Sequence, residues 1–199
     1  MGFAKMAIAE NRLFLPLLSY ESYMAEEEIF SRYEIIDGKR IFMPGATELH
    51  QIIVGNIYSA LRRFGLISKK GISLMAPRDV MISENPFRVR QPDVLFISNL
   101  RRGRNEPSGS SAPYRTAPEL VAEVISNSET SYIFSEKMAD YQKANVLEVW
   151  KVEPELRTVE VMKLSIDVIV STGIYNIGDE VQSAVFPELK VSVAEIFAE

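Results

Sequence analysis

The sequence has no cysteine among its 199 residues, which excludes disulfide bonds and thiolate metal sites. Histidine and tryptophan occur once each, and no apolar run is long enough to span a bilayer. The first residues lack a long apolar core followed by a cleavage site, so we expect no signal peptide. These absences favour a protein of the reducing cytoplasm that has no membrane partner.

The apolar content of the chain is sufficient for a substantial core, because 47% of its residues are hydrophobic. Helical and strand-like patterns alternate along the chain, and no internal repeat is present. We therefore predict a single domain over residues 1–199, in which residues 1–20 form an N-terminal arm.

Two short apolar runs each contain one acidic residue. Asp93 lies within residues 89–97, and Glu123 lies within residues 118–126. Runs rich in valine, isoleucine and leucine are typical of strands buried on both faces. A buried carboxylate is costly unless it is paired or binds a metal. If the strands are neighbours, one divalent cation satisfies both acids; the alternative is two structural acids paired with backbone or arginine.

The motifs that include these acids resemble the PD-(D/E)XK nuclease superfamily. Within that superfamily they more closely resemble a bacterial family of unknown function described as restriction endonucleases. The similarity extends from about residue 33 to residue 197. Its motifs are residues 33–38, Gln91-Pro92-Asp93, residues 123–126, Glu136-Lys137 with Tyr141, and residues 147–150.

The lysine of the motif departs from the superfamily pattern. That pattern has a lysine two residues after the glutamate, where this chain has Ile125. The resemblance to the closer family implies that Lys137, on the following predicted helix, takes its place.

The resemblance also implies a fold, a cofactor and a reaction. The fold would be a mixed α/β, restriction-endonuclease-like core with a central mixed sheet flanked by helices, an extra N-terminal hairpin and a β-rich C-terminal extension. Asp93 and Glu123 would bind Mg²⁺ or Mn²⁺, helped by the carbonyl of Val124, and Lys137 would orient the attacking water. The expected activity is hydrolysis of DNA phosphodiester bonds, and the expected assembly is a homodimer.

Four further residues are candidate accessory groups. Gln91 would position a water or phosphate, and Tyr141 shares a helix face with Lys137. His50 is either a plain polar residue near a helix start or a donor to phosphate or metal-bound water. Glu34 is expected to be a surface residue of a hairpin strand, with a third active-site acid as the alternative.

The charge is distributed unevenly around Asp93. Residues 57–115 contain 11 basic and 4 acidic residues, a balance of +7, whereas the remainder has a balance of −12. A phosphate backbone favours such a local field. We therefore predict a basic patch beside the acids in which Arg101, Arg102 and Arg104 contact DNA from a loop over residues 101–117. The alternative is an uneven solvated surface.

Local patterns predict the other elements. Helices are expected at residues 21–30, from a Thr47 cap to about residue 64, at residues 132–144 after a cap within residues 126–128, and at residues 192–198. Asp37-Gly38 predicts a tight turn between strands at residues 33–36 and 39–43. Further strands are expected at residues 72–75, 79–82, 147–152, 158–164, 167–171, 173–177 and 180–185.

Two other functions remain open from the sequence. The displaced lysine is compatible with a catalytically degenerate nuclease fold that serves as a DNA-binding or oligomeric scaffold. A metal-dependent hydrolase of small phosphoesters would be favoured if no basic groove forms in space.

Overall fold

The protein is described by a computed structural model that covers residues 17–26, 32–105, 111–126 and 129–199. Its helices are α1 (Tyr20–Ala25), α2 (Glu48–Ser68), α3 (Asn99–Arg102), α4 (Ser131–Lys143) and α5 (Val193–Ile196). Its strands are β1 (Tyr33–Ile36), β2 (Lys39–Phe42), β3 (Gly71–Met75), β4 (Val80–Glu84), β5 (Phe87–Arg90), β6 (Val94–Ser98), β7 (Leu120–Val124), β8 (Glu148–Glu153), β9 (Thr158–Leu164), β10 (Ile169–Tyr175), β11 (Glu180–Gln182) and β12 (Lys190–Ser192). No helix in these ranges is long and apolar enough to cross a membrane.

A six-stranded sheet in the order β10-β9-β8-β7-β6-β3 forms the centre of the molecule. β7 and β8 are parallel, because α4 connects them as a crossover, and the other neighbours are antiparallel. The sheet is therefore mixed, as expected.

Each face of this sheet packs on one long helix. On one face, Ile57 of α2 belongs to a buried cluster with Phe96 and Trp150. On the other face, Tyr141 of α4 packs with Leu95 and other strand residues. The predicted arrangement of a mixed sheet flanked by helices is confirmed.

The N-terminal hairpin belongs to a second, four-stranded sheet in the order β2-β1-β5-β4. Asp37 and Gly38 have φ values of 51° and 76°, as the tight turn requires. A side chain at Gly38 would also meet the backbone of Leu18 at 3.0 Å, so glycine suits this position twice over. Ile35 pairs with Val89 of β5, and this pairing makes β1 an internal strand.

Several element boundaries differ from the sequence prediction. Thr47 caps α2 as expected, but the helix continues to Ser68 and ends at Lys69, whose φ is 60°. α4 is capped by Thr130, whose side chain accepts from the N–H of Ile133, so the cap expected within residues 126–128 is wrong. Residues 127–128 themselves lie outside the described part.

The two ends of the chain also differ in detail. The helix expected at residues 21–30 is α1, and residues 27–30 are not described; residues 1–16 of the predicted arm are also outside the description. The two strands expected within residues 167–177 are one strand, β10, with a bulge between Ser171 and Gly173. The β-rich C-terminal region therefore extends the central sheet through β9 and β10, and β11 pairs separately with β12.

Candidate active site

Asp93 and Glu123 lie side by side at one end of two neighbouring strands. β6 and β7 are antiparallel, with Val94 opposite Ala122. Asp93 immediately precedes Val94 and Glu123 immediately follows Ala122, so the two acids lie opposite each other. The N–H of Val124 donates to Asp93 Oδ2 at 2.9 Å. Because side chains alternate along a strand, both acids point to the sheet face that packs on α4.

Asp93 is almost fully buried and is held by two positively polarised groups. Arg32 Nη2 donates to Oδ1 at 3.0 Å, and His50 Nε2 lies 3.3 Å from Oδ2. Burial alone would raise the pKa of Asp93, but the hydrogen bond from His50 and the charge of Arg32 outweigh it. The pKa of Asp93 is therefore held below its usual value, and the group is anionic at neutral pH.

Glu123 is 2% exposed and has a different balance of partners. Lys137 Nζ donates to Oε2 at 2.9 Å, and the hydroxyl of Tyr141 donates to Oε1. Burial raises the pKa of Glu123 to about 7; Lys137 opposes this rise, and the negative charges of Asp93 and Glu34 add to it. Glu123 thus exchanges a proton near neutral pH when no cation is bound.

Lys137 bridges two carboxylates. Besides Glu123, its Nζ lies 3.1 Å from Glu129 Oε1. Burial lowers the pKa of Lys137, but the charges of Glu123, Glu129 and Glu34 outweigh burial and raise the pKa above its usual value. Lys137 is therefore a charged, doubly anchored ammonium. The sequence did not single out Glu129, because it lies between the β7 motif and the helix cap and matches no spacing rule.

The expected surface position of Glu34 is wrong. Its side chain is buried, accepts from the N–H of Gln91 at 3.2 Å and pairs with Arg90 Nη1 at 2.7 Å. The reason is the pairing of β1 with β5, which places an internal strand where the sequence indicated an isolated hairpin. Its charge acts on both Glu123 and Lys137, as the pKa shifts of those groups show.

Gln91 has a buried amide that bonds away from the two acids. Its Nε2 donates to Asp79 Oδ1 at 2.7 Å, and Asp79 also accepts from the Tyr23 hydroxyl. Burial raises the pKa of Asp79 despite these bonds. The backbone carbonyl of Gln91, rather than its side chain, serves the site, since it accepts from Arg32 Nη2 at 2.8 Å.

Two arginines of β5, the buried Arg90 and the half-buried Arg88, connect the second sheet to α4. Arg90 Nε donates to Asp140 at 2.7 Å, and Arg88 Nε donates to the same carboxylate at 2.8 Å. Arg88 also pairs with Glu136 at 2.6 Å. Asp140 is three residues from Lys137 and precedes Tyr141, so this network fixes the helix that carries the lysine.

The basic patch expected beside the acids does not form from Arg101, Arg102 and Arg104 in the described structure. These residues follow β6 at the end opposite to Asp93, and a five-residue strand separates the two ends by roughly 16 Å. Arg101 is bound to the carbonyls of Ala117, Pro118 and Asn145. The arginines are therefore close to Asp93 along the chain but separated from it in space by the length of β6.

Asp93, Lys137 and Glu129 border a cleft of about 620 Å³, and Glu123 is buried next to its wall, where it is bonded to Lys137. The N-terminal end of α2 contributes Thr47 and His50 to the wall, and Arg32 also lines it. Arg32 is a second functional candidate that the sequence did not indicate, because it precedes β1 and lies 61 residues before Asp93. Its position depends on tertiary structure alone.

The donor groups of the cleft suit a hard divalent cation. No group of three or more histidine, cysteine or acidic side chains suited to a metal occurs among the described residues. Asp93 and Glu123 nevertheless supply oxygen donors, which magnesium prefers, and it completes its shell with water and phosphate. Asp93 Oδ1 and both oxygens of Glu123 each have one protein donor and retain a second lone pair, whereas Asp93 Oδ2 faces both the N–H of Val124 and His50 Nε2. The pKa of Glu123, raised in part by Asp93, indicates a crowding of negative charge that a cation would relieve.

The fold is that of a nuclease-like protein of known structure. A crystal structure described as a putative nuclease belonging to DUF820, from Anabaena variabilis ATCC 29413, superimposes with a TM-score of 0.73 at 16% identity. The match covers 91% of this chain and 98% of the other.

The sequence model of the family Uma2, described as "Putative restriction endonuclease", matches residues 20–194. The chain belongs to this family, which confirms the resemblance inferred from the motifs. Among curated proteins, none matches.

Proposed function

We propose that this protein is a divalent-metal-dependent endonuclease that hydrolyses DNA phosphodiester bonds. The observation that carries the proposal is the meeting of three side chains: Asp93 and Glu123 adjoin on paired strands, Lys137 Nζ lies 2.9 Å from Glu123, and Asp93 and Lys137 line one cleft. Burying two acids and a lysine costs free energy of folding, so a purely structural role explains them poorly. The same three groups are suited to phosphoryl transfer.

Asp93 and Glu123 would hold Mg²⁺ or Mn²⁺. When bound there, the cation would act as a Lewis acid that lowers the pKa of a bound water and offsets charge on the attacked phosphate. Val124 contributes its N–H to Asp93, so its backbone orients this carboxylate. Tyr141 holds Glu123 from the opposite side through its hydroxyl.

Lys137 would stabilise the charge that develops on the phosphate and orient the attacking water. Its second anchor, Glu129, keeps the ammonium at the site after Glu123 engages a cation. Arg32 pairs with Asp93 at the cleft wall and His50 Nε2 lies beside the same carboxylate, and both side chains can also donate to a phosphate oxygen.

DNA as the substrate is supported by the family description. Among the described residues, the walls of the cleft carry the basic side chains Arg32, His50 and Lys137 beside the acids Asp93, Glu129 and Glu155. The DNA backbone would therefore be met here, at the Asp93 end of β6, and the Arg101 end would lie away from the reacting phosphate.

The test is plasmid cleavage beside calorimetric titration of Mn²⁺. Wild-type protein should cleave only with Mg²⁺ or Mn²⁺, and Asp93→Ala and Glu123→Ala should abolish cleavage and weaken metal binding, since each removes one anionic ligand. Glu155→Gln is the matched control, because Glu155 is an exposed acid on the same cleft wall. It should retain both properties.

Two results would contradict the proposal. Cleavage that persists in either alanine variant, with thermal melting showing a folded protein, would remove these acids from the chemistry. Metal binding without cleavage of any DNA by the wild-type protein would favour a catalytically degenerate scaffold instead.

A further inference from the structure

The outer edge of the central sheet is exposed and apolar. β10 is the last strand of the six, and in the described part of the chain it pairs only with β9. Ile174 is 62% exposed and Val170 48% exposed, and Ile166, just before the strand, is 90% exposed. An open strand edge presents unpaired N–H and C=O groups, and another strand can pair with it.

Two other sheet edges, β2 and β3, are protected in ways that β10 is not. β2, an edge of the second sheet, carries Lys39 and Arg40, and charges of this kind discourage pairing. β3, the opposite edge of the central sheet, is covered by α2 and α3 and is mostly buried or half-buried. β10 has neither kind of protection: residues 168–178 contain no charged side chain, and Val170 and Ile174 are left exposed.

We propose that β10 is a self-association surface through which two copies of this chain pair. In an antiparallel pair related by a twofold axis, the strand meets its own sequence. A charge near the centre would therefore meet its like, whereas an uncharged, β-branched strand complements itself. A charged peptide would find no countercharge on this edge, so a second copy fits it better.

The bulge between Ser171 and Gly173 interrupts the regular ladder of β10. Pairing is therefore carried by its two flanks, one at Val170 and one at Ile174. Ile166 and Ile177, which are 90% and 50% exposed, extend the apolar contact beyond the strand on each side.

This surface is separate from the cleft. β9 and β8 lie between β10 and β7, and the cleft is at the end of β6 and β7. The pairing would join two sheets into one continuous sheet and leave both clefts open. The inference thus stands apart from the proposed nuclease function and can fail without it.

The experiment is sedimentation of the full-length protein over a range of concentrations. Wild-type protein should be a dimer at high concentration. Ile174→Lys and Val170→Lys should each weaken the dimer by about 100-fold, since each variant places an unpaired charge opposite an apolar residue of the other copy. Ile67→Lys is the matched control: Ile67 is 77% exposed on α2, away from β10, and its replacement should leave the dimer intact.

Amide hydrogen exchange distinguishes a second copy from a segment of the same chain. Protection of residues 168–176 should rise with protein concentration in the wild type and remain low in Ile174→Lys. A wild-type monomer at all concentrations would overturn the proposal. So would a dimer that tolerates both lysine variants, or strong protection that is independent of concentration.

Discussion

Glu119 and Glu123 lie at opposite ends of β7, and both are buried acids beside a basic side chain. Glu119 accepts from the N–H of Ser98 at 2.8 Å and from its hydroxyl at 2.6 Å, and Arg101 Nε lies 3.3 Å away. Arg101 in turn is bound to three backbone carbonyls. The charges of Glu119 and Arg101 are thus both met by partners that the fold holds in place.

Among the described residues, the carboxylate of Glu123 has no backbone partners of this kind. Its partners are the side chains of Lys137 and Tyr141, and the anionic Asp93 is close by. A buried acid on a strand therefore indicates a reactive site only when its neighbours leave charge unbalanced. Glu119 stabilises a corner of the fold, whereas Glu123 contacts Lys137, which lines the cleft, and is buried close to the anionic Asp93.

After the two variants that remove a metal ligand, the largest expected effect on DNA cleavage is that of Lys137→Ala. The rate should fall by about 10²–10³-fold, the loss typical of one preorganised electrostatic stabiliser. Mn²⁺ binding should persist or tighten, because a nearby positive charge is lost but no ligand is. Plasmid cleavage beside calorimetry measures both. Wild-type cleavage by this variant would show that the lysine on α4 does not replace the one missing from the motif.

The same truncation at the other end of β7 should affect stability instead. Arg101→Ala removes an ion pair and three carbonyl contacts, and Glu119 would lose its basic partner. We expect the free energy of unfolding to fall by about 3 kcal/mol, as measured by urea denaturation, with the cleavage rate per folded molecule unchanged. A loss of cleavage without a loss of stability would reverse the contrast between the two ends.

The pH dependence of stability should identify Glu123 in metal-free protein. Its folded pKa of about 7 exceeds the usual 4.5, so the folded state binds more protons than the unfolded state between these values. The contribution of Glu123 is therefore most favourable below about pH 4.5 and is lost as the pH rises through 7. The slope is at most about 1.4 kcal/mol per pH unit.

Denaturation of the wild type and Glu123→Gln, each in the presence of a chelator, measures this slope. Subtracting the glutamine variant removes the titration of all other groups. A difference between the two that is flat from pH 5 to 7 would show that Glu123 is not destabilised by its surroundings.

The smallest expected effect is that of Glu129→Gln, which removes one of the two anchors of Lys137. The cleavage rate should fall by about tenfold or less, since the lost interaction is worth ~1 kcal/mol. Glu129→Asp keeps the charge and should recover part of the rate. Equal losses in the two variants would indicate that Glu129 acts through packing rather than through its charge.

The sequence predicted what depends on local pattern. Asp93 and Glu123 were found because each interrupts an apolar run, and the antiparallel pairing of those runs then sets the acids side by side. Resemblance to a family added Lys137. The alternation of the hairpin was also correct, and its turn has the expected left-handed residues.

What the sequence missed depends on contacts between distant segments. Glu34 was placed at the surface because the strand that covers β1 begins about 50 residues later, at Phe87. Arg32 reaches Asp93 across 61 residues. The prediction of a basic patch failed for the opposite reason. Arg101, Arg102 and Arg104 are close to Asp93 along the chain, but β6 separates them from it in space.

The arginine network of β5 affects how cooperatively the protein unfolds. Arg88 and Arg90 join the second sheet to the helix that carries Lys137, and Arg90 is 3% exposed. Unfolding either part alone would leave buried charges of the other part without partners. This cost opposes separate unfolding of the two parts. The hairpin, α4 and β7 therefore constitute one cooperative unit, and activity should disappear in the same denaturant transition as the global fold.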